Sequence, residues 1–324
     1  MQLTLDTKGL LLKRRNNSFQ IISKTESPTF SPDRITSIAI NTFCGLSSSA
    51  IRLAIQHKIP IYFIDQFGNV DGRVWSASFG HLSTLRRQQV YYAISLAATD
   101  WVVELLSHKF KNQCQHLRNF ARLHPSKKEK IDLFIGKADL TVLDFAKGKL
   151  LRDCAGQIRG NEGIFSKNYW QIINEIIPAE WAFANRNRQP ATDAFNAATN
   201  YCYGMLYTYV ETALFSVGLD PYLGIFHADQ YDKPTLSYDL IEPFRPWADN
   251  LLTELIGSKK LDIKQFELID SKMVINKAGK AVLIPAFHIY FNEKVDFLEG
   301  RTSRKNHIYR YAGRLVEILK KFKN

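Results

Sequence analysis

The chain has 324 residues, 45% hydrophobic and 23% charged, with 43 Lys and Arg against 31 Asp and Glu for a formal charge of +12. These proportions exclude a disordered chain, and no run approaches the ~18 apolar residues of a transmembrane helix. The length predicts two domains, because single hydrophobic cores stop growing near roughly 250 residues.

The first 75 or so residues read as β-structure. Met1 to Leu5 alternates, Asp6 to Gly9 is turn chemistry, and Leu10 to Lys13 and Phe19 to Ser23 flank a second turn at Asn16-Asn17-Ser18. A β-branched run follows from Ile35 to Ile40. Ser47 to Ser49 offers helix caps before Ile51, Leu53, Ala54 and His57 at helical spacing. Pro60 opens a strand from Ile61 to Asp65, and Gln66 to Asn69 turns it into Val70 to Trp75. From Leu82 to about Arg122 apolar residues recur at three and four, as one long or two stacked helices. Further helices are predicted over 130–157, 162–176, 191–217, 239–257 and 309–322, while 266–292 is open between helix and strand. The reading is therefore α+β. A small β-rich domain spans 1–76, a linker spans 77–81, and a larger, mainly α-helical domain spans 82–324 and ends in a basic segment.

The cysteines, Cys44, Cys114, Cys154 and Cys202, are too far apart for CxxC zinc spacing and too few for a disulfide scaffold. Met1 leads into a strand rather than a secretory leader, so cytoplasm is the expected compartment. An isoelectric point near 9.4 asks for an anionic partner, and nucleic acid is the abundant candidate. The charge is concentrated in two places. Lys109, Lys111, Arg118, Arg122, Lys127, Lys128 and Lys130 face one acid, Glu129, between 109 and 130. Arg301, Arg304, Lys305, Arg310, Arg314, Lys320, Lys321 and Lys323 face one acid, Glu317, in 301–324. The rest of the chain is close to neutral. Such confinement predicts a nucleic-acid footprint, although a lysine-rich tail also serves as a solvated helix face.

No phosphate-binding G-x-x-x-x-G-K-[ST] loop, G-x-G-x-x-G, H-E-x-x-H or G-x-S-x-G occurs. Two polar constellations are left. His227 precedes Asp239 and Glu242, which are three residues apart at a predicted helix start and share one face. One imidazole and two carboxylates suit Mg²⁺ or Mn²⁺. The competing reading is a capping box with Asp239 as N-cap. Glu162 lies between Gly160 and Gly163, either in an i,i+3 ion pair with Arg159 or as a third ligand with the glycines leaving room for a DNA backbone.

These residues carry a resemblance. Arg159-Gly-Asn-Glu162-Gly to Tyr169-Trp170 resembles a motif of the CRISPR-associated protein one family. So do Arg186-x-Arg188-x-Pro190-x-x-Asp193-x-x-Asn196-Ala, Gly218-Leu-Asp-Pro221 to Gly224-Ile-Phe-His227, and Tyr238-Asp239-Leu-Ile-Glu242-Pro-Phe-Arg245-Pro. The four motifs occur in family order over about 159–246.

The resemblance implies a homodimer of two-domain subunits, with a β-rich N-terminal domain assigned to dimerisation and a helical catalytic domain. It implies a metal-dependent DNA endonuclease and integrase of CRISPR adaptation, active on double-stranded and branched DNA with a small second adaptation protein. Carried over by position, the catalytic residues and ligands of Mg²⁺ or Mn²⁺ are Glu162, His227 and Glu242. Asp239 is adjacent, and whether it or Glu242 binds directly stays open. Arg159, Arg186, Arg188, Arg245, Arg301, Arg304 and Lys305 are the expected DNA contacts, with holding the Glu242 carboxylate as the alternative role for Arg245. Tyr169 and Trp170 are expected in the core. The implied chemistry is transesterification, in which a 3′-hydroxyl attacks a phosphodiester of the repeat. The alternatives are a branched-DNA nuclease without an integration role and a non-catalytic architectural DNA-binding protein.

Overall fold

The computed structural model describes residues 2–41, 43–65, 70–74, 83–187, 190–227, 231, 233–298 and 300–323. Its contacts divide the chain into two units, Met1–Phe79 and Gly80–Asn324. The predicted turn at 66–69 lies outside the described residues, as does the predicted linker at 77–81.

The first unit runs β1 (Gln2–Leu5), β2 (Leu11–Arg15), β3 (Ser18–Ile22), β4 (Thr29–Phe30), β5 (Ser37–Ile40), β6 (Gly45–Leu46), α1 (Ser48–Gln56), β7 (Ile61–Ile64) and β8 (Val70–Val74). One sheet has the order β1-β5-β7-β8, parallel except for β8, and the other has the order β4-β3-β2-β6. The β2–β3 hairpin turns at Asn16, whose φ of 53° is one asparagine tolerates. Ser47 caps α1 by accepting from the Ala50 N–H. Leu5, Leu12, Phe19, Ile38, Leu53 and Ile61 are fully buried together, which gives this unit its own core.

The second unit is mainly helical. It runs α2 (Ser83–Ala93), α3 (Leu96–Leu123), α4 (Lys128–Lys137), α5 (Leu151–Ile176), α6 (Ala194–Ser216), α7 (Thr235–Leu240) and α8 (Arg245–Gly257). Then come the hairpin β9 (Phe266–Ile269) and β10 (Lys272–Ile275), α9 (Lys277–Asn292), the hairpin β11 (Lys294–Asp296) and β12 (Arg301–Ser303), and α10 (Arg304–Lys321). Helix α6 is buried on nearly every side and forms the axis of the unit. Asp193 caps it with a 2.7 Å bond from the Asn196 N–H.

Two boundaries differ from the sequence reading and two open stretches resolve, each for a physical reason. The 82–122 periodicity is two helices, broken where the Ser95 hydroxyl bonds the Tyr92 carbonyl. The expected 130–157 helix ends at Lys137, and α5 then runs unbroken through Gly160 and Gly163. Each glycine costs a helix about 1 kcal/mol, but burial of Ile158, Phe165, Tyr169 and Ile173 on one stripe outweighs that. The expected 239–257 helix is α7, a 3₁₀ turn over Glu242–Phe244, and then α8, because Pro243 and Pro246 cannot donate to a continuous ladder. Asp239 therefore ends one helix instead of capping the start of another. The open 266–292 stretch is a hairpin turning at Asp270 and Ser271, both at positive φ, followed by a helix that contains Pro285. Among the described residues, no helix is long and apolar enough to cross a membrane.

Candidate active site

Three of the sequence-predicted residues are held by a fold that treats neighbouring acids in opposite ways. Asp239, in the last turn of α7, is fully buried. Its Oδ2 accepts from the N–H groups of Ile225 (2.7 Å) and Phe226 (3.0 Å). Its Oδ1 accepts from the His227 N–H (2.9 Å) and lies 2.6 Å from His227 Nδ1. A carboxylate is acceptor-only, so Nδ1 carries a proton and donates, which leaves Nε2 as the ring nitrogen that Asp239 does not engage. A histidine held by a carboxylate in this way is oriented to present its other nitrogen to a ligand. The turn is tight at Gly224, where a Cβ would fall 2.6 Å from Thr235 Oγ1 and 2.7 Å from the His227 carbonyl oxygen. Arg159, from α5, turns away from Glu162. It donates to the Phe226 carbonyl at 3.0 Å and stacks over the Phe226 ring, fastening the His227 turn to α5.

Glu242 stands three residues beyond Asp239 in the 3₁₀ turn and is also buried. Its Oε1 lies 3.1 Å from the Arg245 guanidinium, and its Oε2 lies 2.7 Å from Lys109 Nζ without a well-angled hydrogen bond. Lys109 rises from the middle of α3 and also pairs with Glu162 Oε1, which accepts from Ser166 Oγ at 2.8 Å as well. Glu162 (α5), Lys109 (α3) and Glu242 thus form an acid–cation–acid cradle. Asn112 Nδ2 bonds the Pro243 carbonyl at 2.7 Å and ties the turn to α3. Burial opposes ionisation of Glu242, but Arg245 and Lys109 outweigh it and hold the carboxyl down to about 2. Burial likewise opposes the charge on Lys109, and Glu242 and Glu162 raise it above its ordinary value despite that.

Arg245 also donates to Tyr207 Oη at 2.9 Å and sits over the Tyr203 ring. Behind it lies a buried polar network that the sequence reading did not single out. Tyr203 and Tyr169 donate to the two oxygens of Asp249 at 2.8 and 3.0 Å, and Tyr169 meets His116, which meets Thr253. Burial, opposed by the two tyrosine hydrogen bonds, raises Asp249 to about 6. Tyr169 is fully buried and Trp170 packs partly buried, as the sequence predicts for core residues.

The expected DNA contacts meet different fates. Arg188 lies outside the described residues. The Arg186 guanidinium is taken into the fold, bonded to Asn196 and Asn200 at 2.7 Å each and stacked on Trp170 and Tyr203. Arg304 bonds the Tyr290 carbonyl and Glu293 at 2.7 Å each and covers the Tyr290 ring at 3.5 Å. Lys305 is buried over Tyr209, and that burial lowers its pKa to about 8. Arg301 is exposed on β12. In the other basic segment, Lys128 and Lys130 pair with Asp132 and Glu175, and Lys111, Arg118 and Arg122 are exposed. Neither segment is a uniform cationic strip, because sequence charge does not record which cations face inward.

The site missed a residue as well. Lys109 was counted with the basic run, yet it is buried on the same α3 stripe as Val102, Leu106, Gln113 and Leu117. A lysine at a core-facing helical position was the signal available.

As it stands, no three His, Cys, Asp or Glu side chains among the described residues converge into a ready metal cage. The donor set nonetheless suits a hard divalent cation. Two carboxylates from separate elements already enclose a positive charge, one buried carboxylate oxygen lacks a hydrogen bond, and a carboxylate-held imidazole lies near Glu242.

The helical unit, its preceding β-rich unit and an acidic site enclosed by cations define a class of α+β protein whose polar centre is built at the meeting of three helical elements. The model of the family described as "CRISPR associated protein Cas1" matches residues 3–288, so the chain belongs to the Cas1 family. It is 27% identical over 260 residues to "CRISPR-associated endonuclease Cas1 2" of Saccharolobus solfataricus, covering 79% of this chain and 75% of that protein. Its fold is similar to that of a solved "Casposase bound to integration product", with a TM-score of 0.84 and 25% identity over 99% of this chain and 92% of the other. It is also similar to a chain of a "Cas6-RT-Cas1--Cas2 complex", with a TM-score of 0.78 and 17% identity, covering 99% of this chain and 35% of that one.

Proposed function

We propose that this protein is a metal-dependent DNA endonuclease and integrase of CRISPR adaptation, which joins the 3′-hydroxyl ends of short DNA fragments into a repeat array. The observation that carries the reading is the cation-filled pair Glu162 and Glu242 beside an Asp239-held His227. Membership of the Cas1 family and the likeness to a casposase bound to its integration product support the same reaction class.

Glu162, His227 Nε2 and Glu242 are the residues that would hold Mg²⁺ or Mn²⁺. Such an ion, when bound, stabilises negative charge on the oxygens of a reacting phosphodiester. Asp239 has no part in that set: its oxygens serve three N–H groups and the imidazole, so its task is to keep His227 aimed, with Nε2 turned away from the carboxylate. Arg245 holds Glu242 ionised and in place. In the reaction one phosphorus–oxygen bond forms to the incoming 3′-oxygen as one breaks to the repeat strand. The nucleophile's proton is released and the departing 3′-oxygen takes one up. Exposed Lys111, Arg118, Arg122 and Arg301 are cations available to follow the DNA backbone.

With water in place of the 3′-hydroxyl the same residues cleave, the activity that the endonuclease name of the S. solfataricus relative describes. A purely architectural DNA-binding role leaves the buried acids without a purpose. By analogy with the relatives, the partners are double-stranded and branched DNA, a second copy of the chain, and a small second adaptation protein such as the Cas2 of the similar complex.

The test is strand transfer of a labelled 3′-hydroxyl end into a repeat-containing duplex with Mn²⁺. Glu162→Ala and His227→Ala are expected to bind DNA normally and to join none. Wild-type joining by either variant overturns the assignment.

A further inference from the structure

Helix α3 places a lysine where its apolar stripe calls for a hydrophobic residue, since Lys109 shares its face with Val102, Leu106 and Leu117. Its side chain is only 8% exposed, and the two groups nearest Nζ are carboxylates contributed by other elements. Glu162 comes from α5 and Glu242 from the turn after α7. Without a cation between them, two partly desolvated anions would repel across a low-dielectric gap. A lysine ammonium is a compact point charge on a flexible stem, so it can neutralise the pair and also swing away. Arg245 differs in kind. Its guanidinium grips Glu242 Oε1, Tyr207 and the face of Tyr203 at once, which anchors it, whereas Lys109 reaches the opposite oxygen, Oε2.

We propose that Lys109 is a positioning residue, a resident counter-cation that holds Glu162 and Glu242 facing one another in the metal-free protein. A divalent ion must displace it, so Lys109 sets how tightly the site takes metal. This rests on the reading of Glu162 and Glu242 as ligands. A lysine kept only for structure would weaken metal binding when removed, because the cradle would loosen. A competing cation has the opposite signature. Its removal lowers the stability of the metal-free protein and tightens metal binding.

The experiment measures Mn²⁺ binding by electron paramagnetic resonance of free Mn²⁺, alongside thermal unfolding with and without the ion, on the full chain. Wild type, Lys109→Met, Lys109→Arg and Glu242→Gln are compared. Lys109→Met is expected to unfold several degrees lower in chelator, to bind Mn²⁺ about tenfold more tightly, and to gain more from Mn²⁺ than wild type does. Lys109→Arg, which keeps the charge, is expected to show no tightening. Unchanged or weaker Mn²⁺ binding by Lys109→Met overturns the proposal while leaving the ligand reading intact. Failure of wild type to bind any Mn²⁺ that Glu242→Gln abolishes overturns both. A measurement on wild type stands independently of how the variants fold: acetylation of Lys109 by acetic anhydride, read by mass spectrometry, is expected to rise when Mn²⁺ saturates the protein. Constant protection of Lys109 contradicts displacement.

Discussion

Asp239 and Glu242 are three residues apart in one stretch, both are acids, and both are buried, yet the fold neutralises them by different means. Asp239 is met by an imidazole N–H and by fixed dipoles, three backbone N–H groups that cannot leave without unmaking the 225–227 turn. Glu242 is met by two side-chain cations, Arg245 and Lys109. Backbone donors make a permanent structural joint, whereas a lysine makes an exchangeable one. The contrast separates a residue that shapes the site from one that can take a new cation.

The largest effect that would sharpen this contrast is expected at the permanent joint. Asp239→Ala strands three N–H donors, that of Phe226 buried and those of Ile225 and His227 partly buried, at a cost of about 1–3 kcal/mol for each group left unsatisfied. We expect a total loss of about 3–5 kcal/mol in urea unfolding, together with loss of His227's orientation. A loss below about 1 kcal/mol would show that the turn does not depend on this carboxylate.

Glu242→Gln should act more mildly and with a pH signature. The folded-state value for Glu242 is lowered, so its contribution is present above the ordinary value of 4.5 and is lost as pH falls toward about 2. That contribution amounts to roughly 3 kcal/mol at neutral pH. Wild type should therefore lose stability between pH 4.5 and 2 more steeply than Glu242→Gln. Parallel acid limbs would break the comparison, since they would mean that the cations do not hold this carboxylate.

The smallest effect concerns Gly160 and Gly163. Neither has a neighbour within 4 Å of an added Cβ, so alanine fits without a clash inside the protein. Gly160→Ala and Gly163→Ala should each add about 0.5–1 kcal/mol of stability by thermal or urea unfolding. If the glycines leave room for a DNA backbone beside Glu162, strand transfer should fall as stability rises. Joining at the wild-type rate would assign the glycines no such role.

The proposed site residues stood out because their motifs are local: Glu162 between two glycines, His227 after a tight turn, and Asp239 and Glu242 before a proline. What bound them together was not. Lys109 is 53 residues from Glu162 in the chain, so only the packing of α3 against α5 discloses their pairing. Counting charges placed Lys109, Arg304 and Lys305 among the DNA-facing cations, and the resemblance placed Arg186 there, whereas the fold turns each inward onto carboxylates, asparagines or aromatic rings. The α+β division was legible from the change of period near residue 80. Inside the helical unit, boundaries slipped where glycine looked like a stop but a buried stripe carried α5 through. They slipped again where Pro243 and Pro246 cut one expected helix into α7, a 3₁₀ turn and α8.

Anomalous diffraction from Mn²⁺-soaked crystals tests the central claim most directly. The account predicts a single anomalous peak in contact with Glu162, His227 Nε2 and Glu242, with Lys109 moved aside and Asp239 still bonded to His227 Nδ1. A peak ligated by Asp239, or a cradle still closed on Lys109 at saturating Mn²⁺, would contradict it.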